Sequence, residues 1–545
     1  MTGSILRTVL AVCCVALPFS VSASDTPTIS KSTAGGQLLV HGKPYLILGG
    51  ELGNSSAGTA EQADNILPRL AQMHFNTVLM PVAWEQIEPV EGAYDFKILD
   101  HWIDVARQQH MHLVPLWFGS WKNAFSSYAP DWVKADTRRF PRAVSNDGVE
   151  LEILSTLGME TQKADSRAFA ALMKHVRDKD QDDQTVLMVQ VENEVGYLGR
   201  GRDRSAVANQ LFQSAVPVEL VRNLEANRSL LSPELQSHFN AAGHTWPEIF
   251  GDAADEVFMT WNYARYIQGV AAAGKQAYAL PMYVNCQLPA PAERTGEYPS
   301  GGPHPYYLEV YRLTAPALDF YSPDIYWPTF EYWIDRYRFP GNAIFVPEAR
   351  LDAAPFNALY AYGEAKAFGF SPFAVDSLPS SSSSITSANI GPAISETYAA
   401  LESMSDMLLT AQAENHSRGL VLHSNSPRPT QTIALGGYLF ETTLARSWPA
   451  RALMEDDGAM LLMQGGADEF YIAGSGLTVS FFRDPDLDNK LSGITSIEEI
   501  DRAEGKWHTV RRLNGDQSNQ GRQLSMAPHE VHIYRVKLYA ADRRP

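Results

Sequence analysis

Cysteine is almost missing from this chain, with three in 545 residues. Two of them, Cys13 and Cys14, sit in an N-terminal apolar run, which leaves Cys286 alone beyond it. A single cysteine closes no internal disulfide, so oxidative stapling has no part in the fold. Positive charge is also short: 44 Lys and Arg face 62 Asp and Glu, a formal charge of −18. The excess acid is spread along the chain, which argues against nucleic acid or an anionic membrane surface as a partner. His-Glu-x-x-His and Gly-x-Ser-x-Gly are absent, and Gly199-x-Gly201 and Gly474-x-Gly476 do not extend to a dinucleotide-binding turn. The expectation is therefore chemistry without a metal or cofactor.

Long apolar runs are lacking too. The one candidate is short: Arg7, then Val9 to Leu17, then Val21-Ser22-Ala23. That order of a positive charge, an apolar core and small residues reads as an export signal over 1–23, cut after Ala23. The mature chain is expected to be exported, periplasmic or secreted, without membrane insertion. Nothing in the sequence fixes its oligomeric state, and a homodimer is compatible with it.

What is present is a large apolar content, 45% hydrophobic with 10% aromatic residues, enough for a sizeable core. Between about 35 and 377, eight aliphatic runs alternate with segments of helical periodicity. The runs are 45–52, 75–84, 112–121, 185–194, 281–287, 318–326, 343–350 and 369–376. Strands apolar on both faces, alternating with helices, indicate a parallel sheet. Eight units predict a (β/α)8 barrel over 24–414, closed by a helix near 394–411. An insertion over 196–251, carrying Arg200, Arg202 and Arg204, follows the fourth strand. Pro379 and the serines 380–384 read as a loop. From 415 to 545 only strands and turns are expected, at 419–424, 430–440, 469–479 and 531–539, forming a small β-sandwich.

Barrel active sites form at the C-terminal ends of the strands. Those ends carry Glu51, Trp84, Glu85, Trp117, Trp121, Glu192, Asn193, Glu194, Asp324, Tyr326, Trp327, Glu348 and Asp376. Acids interleaved with aromatics suit a sugar, whose C–H faces stack on rings and whose hydroxyls meet carboxylates and amides. Cleaving a glycosidic bond needs two carboxyl groups, and the fourth and seventh strands each deliver a glutamate. In "VQVENEVG", residues 189–196, strand alternation puts Glu192 and Glu194 on one face and cannot choose between them. Arg350 is expected to set the charge state of Glu348 or Glu51.

"VQVENEVG" strongly resembles the acid/base signature of glycoside hydrolase family 35, in clan A. Residues 81–96, "PVAWEQIEPVEGAYDF", and the lead-in over 35–51 resemble two further segments of that clan. The resemblance implies Glu194 as acid/base, Glu348 as nucleophile and Asn193 as ligand of the hydroxyl beside the anomeric carbon. It further implies retention of configuration and a terminal β-galactoside. Val195 and the stretch "GGELGNSS" depart from the family pattern and suggest a divergent bacterial branch with a C-terminal β-domain. Some members of that branch act on plant cell-wall galactosides such as xyloglucan side chains. Glu51, Tyr326, Trp84, Trp117 and Trp327 are expected to line the sugar site, and Glu192 to support its neighbours. The alternatives are another retaining glycosidase of the clan (an arabinosidase, a xylosidase or a family 42 type β-galactosidase) or a sugar-binding barrel without catalysis.

Overall fold

The computed structural model describes residues 26–32, 35–290, 292–378, 390–445 and 456–542. The expected export signal and the serine run lie outside the described residues.

Eight parallel strands close into a barrel in sequential order. They are β1 Ile47–Glu51, β2 Thr77–Ala83, β3 His112–Lys122, β4 Val189–Asn193, β5 Met282–Gln287, β6 Phe320–Ile325, β7 Phe345–Ala349 and β8 Gly369–Pro372. Each lies in one of the eight runs read from the sequence, save that β3 continues one residue past its run to Lys122. Those runs are legible because both faces are buried. Leu79, Val114, Leu116, Phe118, Tyr283, Phe320 and Phe345 share one cluster inside the barrel. The alternate residues, such as Val78, Leu113 and Trp117, pack outward against the helices.

A three-stranded antiparallel sheet, Thr28–Ser32, Gly35–Val40 and Lys43–Tyr45, precedes the barrel. Its Leu38 and Val40 join the interior cluster, closing the N-terminal mouth and leaving the C-terminal mouth as the open one. The insertion after β4 folds into short helices, among them Ala206–Phe212, Val218–Ala226 and Trp246–Phe250.

Four longer helices matter below: α1 Met159–Asp180, α2 Ala254–Ala277, α3 Ala354–Gly363 and α4 Ile390–Ala413. The α4 helix covers the seam where β8 meets β1. Its Tyr398 hydroxyl donates to the carbonyls of Gly49 and Phe370 at 2.8 and 3.0 Å. Among the described residues no helix is long and apolar enough to cross a membrane.

The C-terminal part is all-β, a six-stranded and a four-stranded antiparallel sheet. Leu420, Leu422, Met460, Leu462, Phe470 and Ile472 face the four-stranded sheet across a shared core. Val421, Ala459, Leu461, Met463, Tyr471 and Ala473, one residue out of phase, join the barrel's outer core. The six-stranded sheet is thus sandwiched between its partner sheet and the barrel helices. Gly363, the last residue of α3, is what the close approach requires: a Cβ there would lie 2.4 Å from the Arg418 carbonyl oxygen.

Two strands expected here are in fact four. The run 430–440 turns back at Gly436-Gly437, both with positive φ, to pair Thr430–Leu435 with Tyr438–Leu444. Two consecutive left-handed residues make the two-residue turn that suits a twisted hairpin. The run 469–479 likewise breaks at Gly476, with φ 71°.

Candidate active site

Four acids meet at the open mouth of the barrel. Glu51 ends β1, Asp324 lies near the end of β6, Glu348 near the end of β7, and Glu194 immediately follows β4. All four are at most 5% exposed. The nearest carboxylate oxygens of Glu194, Asp324 and Glu348 all lie within 4.8 Å of one another. Such a trio would also fit a cation, but the buried Lys122 already acts on the group with its positive charge.

The local backbone explains how Glu194 reaches this cluster while Glu192 does not. Glu192 has φ 61° and Glu194 φ 42°, both left-handed. For residues with a Cβ this costs on the order of 1 kcal/mol each and breaks strand alternation. Glu192 turns to the wall, where its Oε2 accepts from the Trp121 amide at 2.8 Å. Burial, and then the charge of Asp165 on α1, hold its carboxyl well above the usual range. Glu194 turns to the mouth, its Oε2 accepting from Asn123 Nδ2 at 2.5 Å. Its backbone amide donates to Asn285 Oδ1 at 2.9 Å. Burial first, and the Glu348 charge second, push the Glu194 carboxyl up to about 7, against opposing pulls that include Lys122.

Glu348 accepts through Oε1 from the Tyr326 hydroxyl, while its Oε2 has no hydrogen-bond partner among the described residues. Asn193 is fully buried, and neither its amide oxygen nor its nitrogen has a partner among the described residues. The same holds for both oxygens of Glu51 and for Oδ1 of Asp324. Buried polar groups are costly when unpaired. So many unpartnered polar atoms at one mouth of the barrel suit a ligand rich in hydroxyls. Burial, then the Glu348 charge, drives the Glu51 and Asp324 carboxyls well above the usual range. Tyr283 forms the floor, its ring stacked on Phe320 at 5.1 Å.

Trp84 and Trp117 are not brought to this pocket, which corrects their expected role. Both are fully buried on the outer side of the barrel wall, 6.5 Å apart between ring centroids. Their ring N–H groups donate to Glu88 and Asp165 at 2.8 and 2.9 Å. Trp117 alternates with Leu116 and Phe118, which point inward, so its place at a strand end did not fix its direction. Trp327 is half-buried on the rim and donates to the Leu288 carbonyl at 3.4 Å. Arg350 pairs with Asp352 rather than with the acids.

The cation that acts on Glu51, Glu194 and Asp324 is Lys122. A bulge conceals it in the sequence: β3 pairs Trp117 with Val191 and then Lys122 with Asn193, so extra residues shift its phase. Asn123 and Asn285 were also missed. Asn285 was within reach of the strand-end rule, since it lies toward the end of β5.

Residues 54–229 match a family model described as β-galactosidase, of glycoside hydrolase family 42. That segment carries Asn193 and Glu194 and ends before Glu348. That match, to a glycoside hydrolase family, falls within the barrel, and the family is one of the alternatives of the sequence reading rather than family 35. Residues 394–525 match a model described as a domain of unknown function, DUF5597. No curated protein matches the chain. Among solved structures, it is similar to the β-galactosidase of the psychrophilic Marinomonas ef1, with 12% identity and TM-score 0.42, over 67% of this chain and 61% of that one. The β-galactosidase of Bacillus circulans sp. alkalophilus gives 15% and 0.46, over 67% and 57%. A β-mannanase from the blue mussel Mytilus edulis gives 11% and 0.42, over 70% and 97%. The chain therefore spans about six tenths of the length of those two β-galactosidases.

Proposed function

We propose that the protein is a retaining exo-β-galactosidase, with Glu348 as nucleophile and Glu194 as acid/base. The observation that carries this reading is the spacing of the carboxyl pair, with nearest oxygens within 4.8 Å. Retaining enzymes hold the two groups roughly 5–5.5 Å apart, whereas inverting ones leave about 6.5–9.5 Å for a water. The division of roles follows from the surroundings. Glu194, pushed up to about 7, keeps the proton that an acid must donate. Glu348 accepts from Tyr326 and presents its unpartnered Oε2 for attack. Asn193 offers its amide to a hydroxyl of the sugar, and Glu51 and Tyr326 are further contacts.

In the cycle, Glu348 attacks the anomeric carbon while Glu194 protonates the departing oxygen. The glycosyl–Glu348 ester is then opened by water, whose proton Glu194 takes back. The galactosyl preference is supported by the family matched over 54–229. Plant cell-wall oligosaccharides, xyloglucan side chains among them, are the proposed natural source, and an exported location fits such a substrate.

A panel of nitrophenyl β-galactoside, α-arabinoside, β-xyloside and β-mannoside tests the sugar choice. Turnover led by the galactoside is expected; a lead of any other sugar by tenfold or more would replace it, and no turnover at all would favour a binding barrel. The charge state gives a second test. Glu194 must be protonated to donate, so kcat/KM should fall as pH rises through about 7. Lys122 pulls that value down, so Lys122→Met should move the alkaline limb to higher pH. A limb that stays or moves the other way would show that Lys122 does not act on the acid.

A further inference from the structure

The ladder between β4 and β5 stops early. Met282 pairs with Val189 and Tyr283 with Gln190, and no pairing continues to the catalytic end. The left-handed turns at Glu192 and Glu194 carry β4 away from its neighbour, so the buried amide of Glu194 has no strand carbonyl to meet. A side chain takes that place. Asn285 Oδ1 accepts from the Glu194 amide at 2.9 Å, and Asn285 Nδ2 donates to Asp324 Oδ2 at 2.6 Å. All three residues are at most 3% exposed, so solvent offers little substitute.

We infer that Asn285 and Asp324 form a positioning relay that holds the Glu194 backbone in its left-handed conformation, and so aims the proton donor. Resting on the acid/base role proposed above for Glu194, it adds two residues that act through it. The direction of each bond is forced. An amide N–H needs an acceptor, so Asn285 must turn its oxygen to Glu194 and its NH2 the other way. That NH2 needs an acceptor in turn, which Asp324 supplies. Without Asp324 the Asn285 amide could flip and set two donors against each other. Without Asn285 the Glu194 amide would be buried unpaired, and relaxing toward a regular strand would swing its carboxyl away from the mouth. The carbonyl side of Glu194 is held separately, by the Ala124 amide at 3.1 Å, so the relay controls one side of a residue pinned at both.

The test is the ratio of kcat/KM between 2,4-dinitrophenyl and phenyl β-galactoside. The first leaves without help from an acid and the second needs it. Asn285→Ala and Asp324→Leu should each raise the ratio by ~100-fold, the low end of what a general acid contributes. Asp324→Asn still offers an oxygen to Asn285 and should keep the ratio within about threefold of wild type, whatever it does to the separate rates. A merely structural role would lower both rates together, so an unchanged ratio in folded Asn285→Ala and Asp324→Leu overturns the relay. So would an Asp324→Asn ratio as high as that of Asp324→Leu. If Asn285→Ala fails to fold, Asn285→Ser takes its place, and an unchanged ratio there overturns the relay. Glu194→Ala is the control: a ratio that does not rise there refutes the assignment of Glu194 instead.

Discussion

Glu348→Ala should abolish turnover of aryl β-galactosides, a loss of roughly 10⁵- to 10⁶-fold by analogy with removal of other covalent nucleophiles. Added azide should then restore consumption of dinitrophenyl galactoside and yield α-galactosyl azide. The expectation follows from the pocket. The Glu348 carboxyl lies in the cluster with Glu194 and Asp324, and its Oε2 has no hydrogen-bond partner among the described residues to hold it back from the sugar. Shortening it to a methyl opens room on the face from which it attacks, and Glu194 remains to protonate the leaving group. Azide entering from that side must invert the anomeric carbon. A β-azide, or activity within tenfold of wild type, would place the nucleophile elsewhere.

Glu194→Ala should behave differently. Its kcat/KM on phenyl galactoside should fall ~10²- to 10⁴-fold, the range a general acid supplies, with little change on dinitrophenyl galactoside. The glycosyl enzyme would accumulate, because no base remains to activate water. Azide should release it as the β-azide, of the opposite configuration to that from Glu348→Ala. Glu192→Ala is the comparison that separates the two acids of "VQVENEVG". Glu192 touches the Trp121 amide and neighbours Asp165, not the cluster, so its loss should lower the melting temperature and leave the leaving-group dependence unchanged. Exchange of these two patterns would mean that the acid is Glu192.

The barrel was legible because its strands are apolar on both faces, a texture few other elements share, and because helical periodicity fills the gaps. The C-terminal sheets were partly legible. Gly436-Gly437 and Gly476 turn the chain within runs that periodicity alone reads as one strand. The strand-end rule located Glu51, Asn193, Glu194 and Glu348 at or next to the strand ends where the structure has them, since it depends only on where strands stop. It could not give direction, and Trp84 and Trp117 failed for that reason. Alternation needs a regular backbone, and the mouth of this barrel lacks one: the bulge in β3 conceals Lys122, and the left-handed residues of "VENE" send two acids of equal parity to opposite sides of the wall. Asn285 was overlooked because an amide at a strand end carries no charge to draw notice; its part lies in hydrogen bonding to a backbone group.

The anomer first released by the wild-type protein tests the central claim most directly. Proton NMR should follow the nitrophenyl β-glycoside that is turned over fastest, at enough enzyme to outpace mutarotation. Paired carboxyl groups this close predict the β-anomer first, with the α-anomer growing in slowly afterwards. The α-anomer first would mean that water, not Glu348, attacks the sugar, and would contradict the double displacement.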